Sequence, residues 1–298
     1  MLLPIKFLQS KVIFKRCALQ ITESSTANIT LTLFSNLNRK FTNSKNMLKI
    51  VRVGAKLNLK KNKMKVEIWS DVLCPFCYIG KRNFETALEQ FDQKEQIEVQ
   101  WKSFQLDPEL PQVAQDSYLE YLIKRKGMSA DQVNGMLANV TQTASQAGLE
   151  YHLDQSIIVN SLKAHRLLQF ASTKNLATEM EEKMFHAFFT EGKNIADSET
   201  LTKLGTAIGL DETEMQTAFT DDNYAYMVKQ DIAEGQQIGV QGVPFFVFDR
   251  KYGVSGAQPS EVFLENLKVS FSEWRRDNAP TELKMTDGQS CTTDGECK

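Results

Sequence analysis

The sequence predicts an α/β fold in which a strand–helix–strand unit and a closing hairpin with its helix are separated by a long helical insertion. Three observations predict it. Val66-Glu67-Ile68-Trp69 leads into Cys74-Pro75-Phe76-Cys77 and a segment with Phe84, Leu88 and Phe91 at helical spacing. Ile97, Val99 and Trp101 then alternate with Glu98, Gln100 and Lys102 as a half-buried strand. From about 105 to 231 the pattern is helical, and strand character returns only at Val243-Pro244-Phe245-Phe246-Val247-Phe248.

In order, residues 65–70 make the first strand and 75–92 the first helix. Pro75 suits the first helical turn, where its missing N–H costs nothing. Cys74 therefore sits at the helix start, where the dipole and free backbone N–H groups favour an anion and a reactive thiolate. Asp107-Pro108 and Leu110-Pro111 break the pattern after the second strand. A helix from Ser117 to Lys126 ends at Gly127, and Ser129 with Gln132 forms a capping box for a helix carrying Met136, Val140, Ala144 and Ala147 up to Gly148. Further helices are predicted at 161–173, 177–190, 199–208, 212–219 and 223–238. The stripes Met180, Met184, Phe188 and Leu201, Leu204, Ile208 read as core. Asp249-Arg250-Lys251 turns a hairpin back through Tyr252-Gly253-Val254, and Pro259-Ser260 starts a last helix with Val262, Phe263 and Leu267 inward.

Two cysteines spaced two apart beside a βαβ pattern read as a thioredoxin fold, βαβ…ββα, here interrupted by an inserted all-helical domain. The expected division is 64–104 and 232–275 for the thioredoxin-like domain, 105–231 for the helical insertion, and 276–298 for a polar, mobile tail.

Charge separates a further segment. Of 35 basic and 37 acidic residues, residues 1–63 hold thirteen basic and only Glu23 as acid, leaving 22 and 36 for 64–298. A basic, Ser-containing leader suits an organellar transit peptide or a nucleic-acid-binding arm, and its start faintly resembles a secretory signal. Lys6, Lys11, Lys15 and Arg16 interrupt its apolar run, and Lys outnumbers Arg. The plainest expectation is that Met64 is the biological start and 1–63 lies outside the native folded protein. No run approaches a membrane span, and no internal repeat or Gly-rich phosphate loop is present. Five cysteines in 298 residues are too few for a disulfide scaffold. Cys74 pairs naturally with Cys77 and Cys291 with Cys297, leaving Cys17 alone; in a reducing cytosol such pairs are catalytic or metal-binding rather than structural.

The stretch Ser70-Asp71-Val72-Leu73-Cys74-Pro75-Phe76-Cys77-Tyr78-Ile79-Gly80-Lys81-Arg82 resembles the signature of DsbA-like thiol-disulfide oxidoreductases, in their cytosolic FrnE-type branch. Trp101 to Pro108, Asn160 to Leu167, Gly242-Val243-Pro244-Phe245-Phe246 and Ser255-Gly256-Ala257-Gln258-Pro259 agree, and the resemblance spans about 64–275. It implies that Cys74 is the exposed attacking thiolate and Cys77 the more buried resolving thiol. Exchange then runs through a mixed disulfide and needs no bound cofactor or metal. Pro75-Phe76 places no basic group between the cysteines, unlike strongly oxidising exported members, so oxidation, reduction and isomerisation all stay open. Val243-Pro244 stands where the fold carries a cis-proline loop; Val243, Pro244, Pro75 and Phe76 are the implied substrate contacts, with peptide recognised through backbone pairing. Implied partners are protein or peptide disulfides and a cytoplasmic thiol system of glutathione or thioredoxin type, with no nucleic acid and no membrane.

His165 falls on the apolar face of its helix, where a satisfied core histidine is the plain reading; with Asn160, the resemblance places it beside the groove over the dithiol. Cys291 and Cys297, around an Asp294-Gly295 turn, read either as a second exchanging pair or as idle thiols; a zinc site built from all four cysteines lacks a supporting ligand pattern. The rival enzyme class is the glutathione-dependent isomerases and transferases, such as 2-hydroxychromene-2-carboxylate isomerase, which typically carry serine at the position of Cys74. A peptide-binding holdase is the non-catalytic rival.

Overall fold

The computed structural model describes residues 62–279, apart from residue 115. Cys17, Cys291 and Cys297 lie outside the described residues, as do the leader up to residue 61 and the tail from 280. In chain order the elements are β1 (Met64–Ser70), α1 (Pro75–Glu89), β2 (Ile97–Ser103), α2 (Tyr118–Lys126), α3 (Ala130–Gln146), α4 (Leu162–Thr173), α5 (Ala177–Phe185), α6 (Ser198–Thr206), α7 (Glu212–Thr220), α8 (Asp222–Gln237), β3 (Phe245–Phe248), β4 (Tyr252–Ser255) and α9 (Ser260–Asp277). This is an α/β thioredoxin-like core with an inserted helical bundle. Among the described residues the sheet runs β2-β1-β3-β4. β1 and β2 are parallel, with Met64 opposite Ile97 and Ser70 opposite Ser103, while β3 is antiparallel to both β1 and β4.

Strand alternation divides the sheet into two faces. Val66 and Ile68 join Phe246 and Phe248 on the face covered by α1 and α9. There the rings of Phe84, Phe246 and Phe263 meet, with centroids 5.6, 5.9 and 4.5 Å apart pair by pair. Burying each ring stabilises the core by about 2–3 kcal/mol. Helix α1 stops at Glu89 rather than 92, yet Phe91 stays buried in the following turn, its ring 5.3 Å from Phe271. The other face carries Trp69 and Val247. Trp69 donates its indole N–H to the carbonyl of Asp231 in α8 at 2.8 Å.

Capping chemistry sets the bundle's first helices. Ser117 and Glu120 close a box at the start of α2, Ser129 and Gln132 another at α3, and Gly127 ends α2 in the left-handed conformation at φ 63°. The single helix predicted over 177–190 is divided: α5 ends at Phe185 and a π turn occupies His186–Thr190. The Glu191 N–H reaches back to the His186 carbonyl at 3.1 Å, and the widened turn buries Ala187, Phe188 and Phe189 together. Helix α8 passes residue 232 without a break. The predicted boundary there lies inside it because one helix packs on both α4 and β2. Likewise α9 continues to Asp277, where Lys251 Nζ donates to the Asp277 carboxylate at 2.5 Å. Among the described residues no helix is long and apolar enough to cross a membrane.

Gly235 explains how α8 approaches the sheet. A Cβ at this position would lie 2.7 Å from Trp69 Nε1 and 2.9 Å from Cδ1, and the ring is fixed by its own hydrogen bond. Gly235→Ala should therefore destabilise the fold despite alanine's better helix propensity. Overpacking costs about 1–3 kcal/mol against about 1 kcal/mol gained, and with the indole ring unable to give way the net loss reaches up to about 2 kcal/mol. Urea unfolding followed by tryptophan fluorescence measures the difference.

Candidate active site

Helix α1 begins at the dithiol. Cys74 is its extended N-cap residue at φ −91°, ψ 110°, with Pro75 in the first turn and no side chain capping the free N–H groups. The Cys74 N–H bonds the Asp71 carbonyl at 3.0 Å and the Cys77 N–H bonds the Cys74 carbonyl at 3.0 Å, so a tight turn sets both sulfurs on one end of the helix. Both cysteines are free thiols. Burial first, and then the neighbouring Cys74 sulfur, push the Cys77 thiol well above its usual range, while the Asp71 backbone and the Ser70 hydroxyl pull the other way.

Cys74 is not the exposed thiol the resemblance implies. It is 4 % exposed and Cys77 1 %, because the hydrophobic core of the helical bundle extends over both and takes in Tyr118 and Tyr151. Of the motif's four residues, Phe76 reaches solvent most, at 43 % exposed. The Val243-Pro244 bond is cis, and the Val243 carbonyl accepts from the Cys74 thiol at 3.4 Å. Gly80 lets this loop sit against α1: a Cβ there would stand 3.0 Å from Pro244 Cγ and 3.5 Å from the Ala257 backbone.

Asp71 organises the back of the site. Its buried carboxylate accepts from the N–H groups of Leu73 at 3.3 Å and Leu106 at 2.7 Å, and His165 Nε2 lies 3.3 Å from Oδ1. His165 is thus behind the dithiol, 1 % exposed, rather than in an open groove. Asn160 acts on the loop beside the site. It accepts from the Leu162 N–H at 2.9 Å, at the start of α4, and donates to the carbonyls of Pro108 and Leu110 at 2.8 and 3.0 Å. The second cysteine pair, Cys291 and Cys297, lies outside the described residues, and among the described residues no three His, Cys, Asp or Glu side chains gather as metal ligands.

A family model described as a DSBA-like thioredoxin domain matches residues 65–268. The chain belongs to the DSBA-like thioredoxin family. A probable DsbA oxidoreductase from Streptomyces coelicolor, known from its crystal structure, is 36 % identical, with 79 % of this chain and 98 % of that chain covered at a TM-score of 0.67. An uncharacterised Bacillus subtilis protein, YwbO, is 28 % identical over 203 residues, which are 66 % of this chain and 92 % of YwbO. A 2-hydroxychromene-2-carboxylate isomerase shares the fold at a TM-score of 0.53 and 16 % identity, with 72 % of this chain and 98 % of that one covered.

In this DSBA-like chain several groups at the site carry no motif signal. The Tyr151 hydroxyl donates to the Pro75 carbonyl at 2.7 Å, and its ring stacks on Phe189 at 4.7 Å. Burial, followed by the nearby Cys74, pushes the Tyr118 phenol upward, so it stays protonated. Tyr78, directly after Cys77, donates to Glu182 of α5 at 2.6 Å; Lys81 Nζ reaches the other Glu182 oxygen at 2.6 Å, and Arg82 pairs with the same carboxylate. Burial alone would raise the Glu182 carboxyl, but hydrogen bonds and charge from Lys81, then Tyr78 and Arg82, outweigh it and hold the group at about 2.

A carboxyl depressed in the folded state adds stability above its unfolded value of 4.5, and that stability is lost as the pH falls through about 2. The side chain is partly exposed, so the pH-dependent share is about 1–2 kcal/mol after discounting for screening. Glu182→Gln should therefore cost more at pH 7 than at pH 3. Denaturant unfolding at both values reads the difference, and a pH-independent loss would contradict it.

Proposed function

We propose that the Cys74–Cys77 dithiol exchanges with disulfides of proteins or small thiols through a mixed-disulfide intermediate. The observation that carries this reading is a free dithiol at a helix N-terminus with the Val243 carbonyl 3.4 Å from the first sulfur. Burial keeps Cys77 a thiol at rest, which leaves the first attack to Cys74. Its sulfur attacks a substrate disulfide and expels one thiolate; Cys77 then attacks Cys74, closes the intramolecular disulfide and releases the second substrate sulfur. Run backward, the same steps oxidise a substrate dithiol. Pro244 and Val243 stand across from the motif, with Pro75 and Phe76 as the surface an extended peptide meets.

The reading places the chain in the cytosolic FrnE-type branch, supported by the stretches 70–82, 101–108, 160–167 and 242–246. A reducing cytoplasm with a glutathione- or thioredoxin-type electron partner suits a chain whose cysteines build no disulfide scaffold. The glutathione-dependent isomerases share the fold, but two thiols at positions 74 and 77 favour exchange over activation of a bound thiol. In this reading Asn160 shapes the loop over the site, and Cys291 with Cys297 supplies a second pair that trades disulfides with the first.

The test is reduction of a peptide disulfide and titration of the dithiol in glutathione buffers. Cys74→Ser should lower the rate by roughly a hundredfold or more, since it removes the nucleophile. Cys77→Ser should accumulate a mixed disulfide visible by mass spectrometry. Exchange that survives the double substitution would sink the reading. The midpoint potential fixes the direction of exchange, and a midpoint unmoved by Cys291→Ser and Cys297→Ser would remove the second pair from it.

A further inference from the structure

Tyr151 bonds the peptide unit that joins the two residues between the cysteines. Its hydroxyl donates to the Pro75 carbonyl at 2.7 Å, and a carbonyl can only accept. The phenol comes from the inserted bundle: residue 151 lies between α3 and α4, 76 positions after Pro75. Its segment is sewn to the π turn. The Thr190 hydroxyl donates to the Glu150 carbonyl at 2.7 Å, and the His152 N–H donates to the Phe189 carbonyl at 2.7 Å. The Tyr151 ring, 5 % exposed, stacks on Phe189 at 4.7 Å and on Tyr78 at 6.2 Å. π turns gather at functional sites, and this one holds a phenol against the dithiol motif.

The other end of that peptide is the Phe76 N–H, which opens toward the N-cap position held by Cys74. As a thiol Cys74 donates to the Val243 carbonyl at 3.4 Å. As a thiolate it has no hydrogen to give and needs donors instead. An N-cap side chain takes them from the second and third helical residues, here Phe76 and Cys77. Pro75 has no N–H, and the Cys77 N–H is held by the Cys74 carbonyl at 3.0 Å. Phe76 thus supplies the first free donor. In a trans peptide the N–H and the carbonyl point in opposite directions, so a hydrogen bond to the Pro75 oxygen polarises the unit toward the sulfur. The other ionisable groups near Cys74 are engaged elsewhere. Cys77 is buried behind it, Asp71 and His165 of α4 face each other, and Tyr118 of α2 packs in the same core.

We propose that Tyr151 is a positioning residue for the exchange: its hydrogen bond to the Pro75 carbonyl holds and polarises the Pro75–Phe76 peptide so that the Phe76 N–H sustains the Cys74 thiolate. The inference deepens the exchange reading above and rests on it, since the attacking sulfur is the one that must carry negative charge. Ionisation breaks the Cys74 S–H bond, leaves the electron pair on sulfur and passes the proton to solvent. The hydrogen bond to Val243 is given up, and one from Phe76 takes its place. Attack then forms the bond from Cys74 to one substrate sulfur and expels the other as a thiolate, while the phenol keeps its proton throughout. The helical insertion thereby reaches the charge on the sulfur through one amide, with no basic side chain between the cysteines.

The experiment uses the full chain, reduced, and follows alkylation of Cys74 by iodoacetamide across pH, with mass spectrometry of the labelled peptide. Tyr151→Phe keeps the ring and its stack and removes the donor. The midpoint of the pH–rate profile should rise by about half a unit, which is about threefold slower alkylation on its acid side, with the plateau at high pH unchanged. 3-Fluorotyrosine introduced at Tyr151, a stronger donor of nearly the same shape, should lower the midpoint. A merely structural loosening would uncover Cys74 and raise the rate at every pH. That result, or profiles superimposable on the wild type in both variants, overturns this proposal and leaves exchange, read from mixed-disulfide formation with a peptide disulfide, intact. A wild type alkylated at Cys74 that forms no mixed disulfide overturns the exchange reading and this proposal with it. Should Tyr151→Phe fail to fold, the fluorotyrosine chain decides: a lowered midpoint supports the proposal, and an unmoved one refutes it.

Discussion

Asp71 is a fully buried carboxylate whose backbone and side chain bind three separate parts of the chain. Its carbonyl receives the Cys74 N–H, its oxygens receive the N–H groups of Leu73 and Leu106, and His165 closes on it from α4. A charge with no solvent must be met by donors, and here the donors are the dithiol turn, the loop after β2 and the inserted bundle. The sulfur positions follow from that requirement. So does the path of the 105–111 loop, which Asn160 fastens from the other side.

A second set of contacts joins α1 to α5. Lys81, 2 % exposed, would be costly to bury unpaired, and Glu85 and Glu182 receive it. Arg82 and Tyr78 share the same Glu182 carboxylate, so the residues following Cys77 are bound to the bundle by charge as well as by the stack of Tyr78 on Phe185, 5.0 Å between centroids. The polar clamp and the aromatic stack lie side by side on one helix, which leaves α1 little freedom to move against the insertion.

The periodic parts of this architecture are legible in the sequence. Alternation at 97–102, the stripe Phe84, Leu88, Phe91 and the Ser129–Gln132 box each announce a local structure whose cause is local. The π turn after Phe185 is not, because packing of Phe188 and Phe189 in a distant core selects it. The helix over 223–238 is legible too, but the boundary expected at 232 falls inside it, since a helix that serves two partners shows no change of pattern where it passes between them. The dithiol itself stands out by spacing, whereas the state of the Val243-Pro244 bond follows only from the family resemblance. His165 could be placed on an apolar face but not against Asp71, which lies 94 positions earlier.

The burial of Cys74 within the bundle's own hydrophobic core bears on how such a chain can change over time. Val72, Leu73, Cys74, Cys77, Tyr78 and Ile79 are packed with residues as remote in sequence as Phe189 and Met215. The insertion is therefore no interchangeable cassette mounted on a redox scaffold. Its interior and the reactive centre are one continuous body of side chains, and a substitution deep among the helices that alters volume is transmitted to the sulfurs. Phe76 and Leu106, by contrast, face water, so a change of side chain there leaves the shared interior undisturbed.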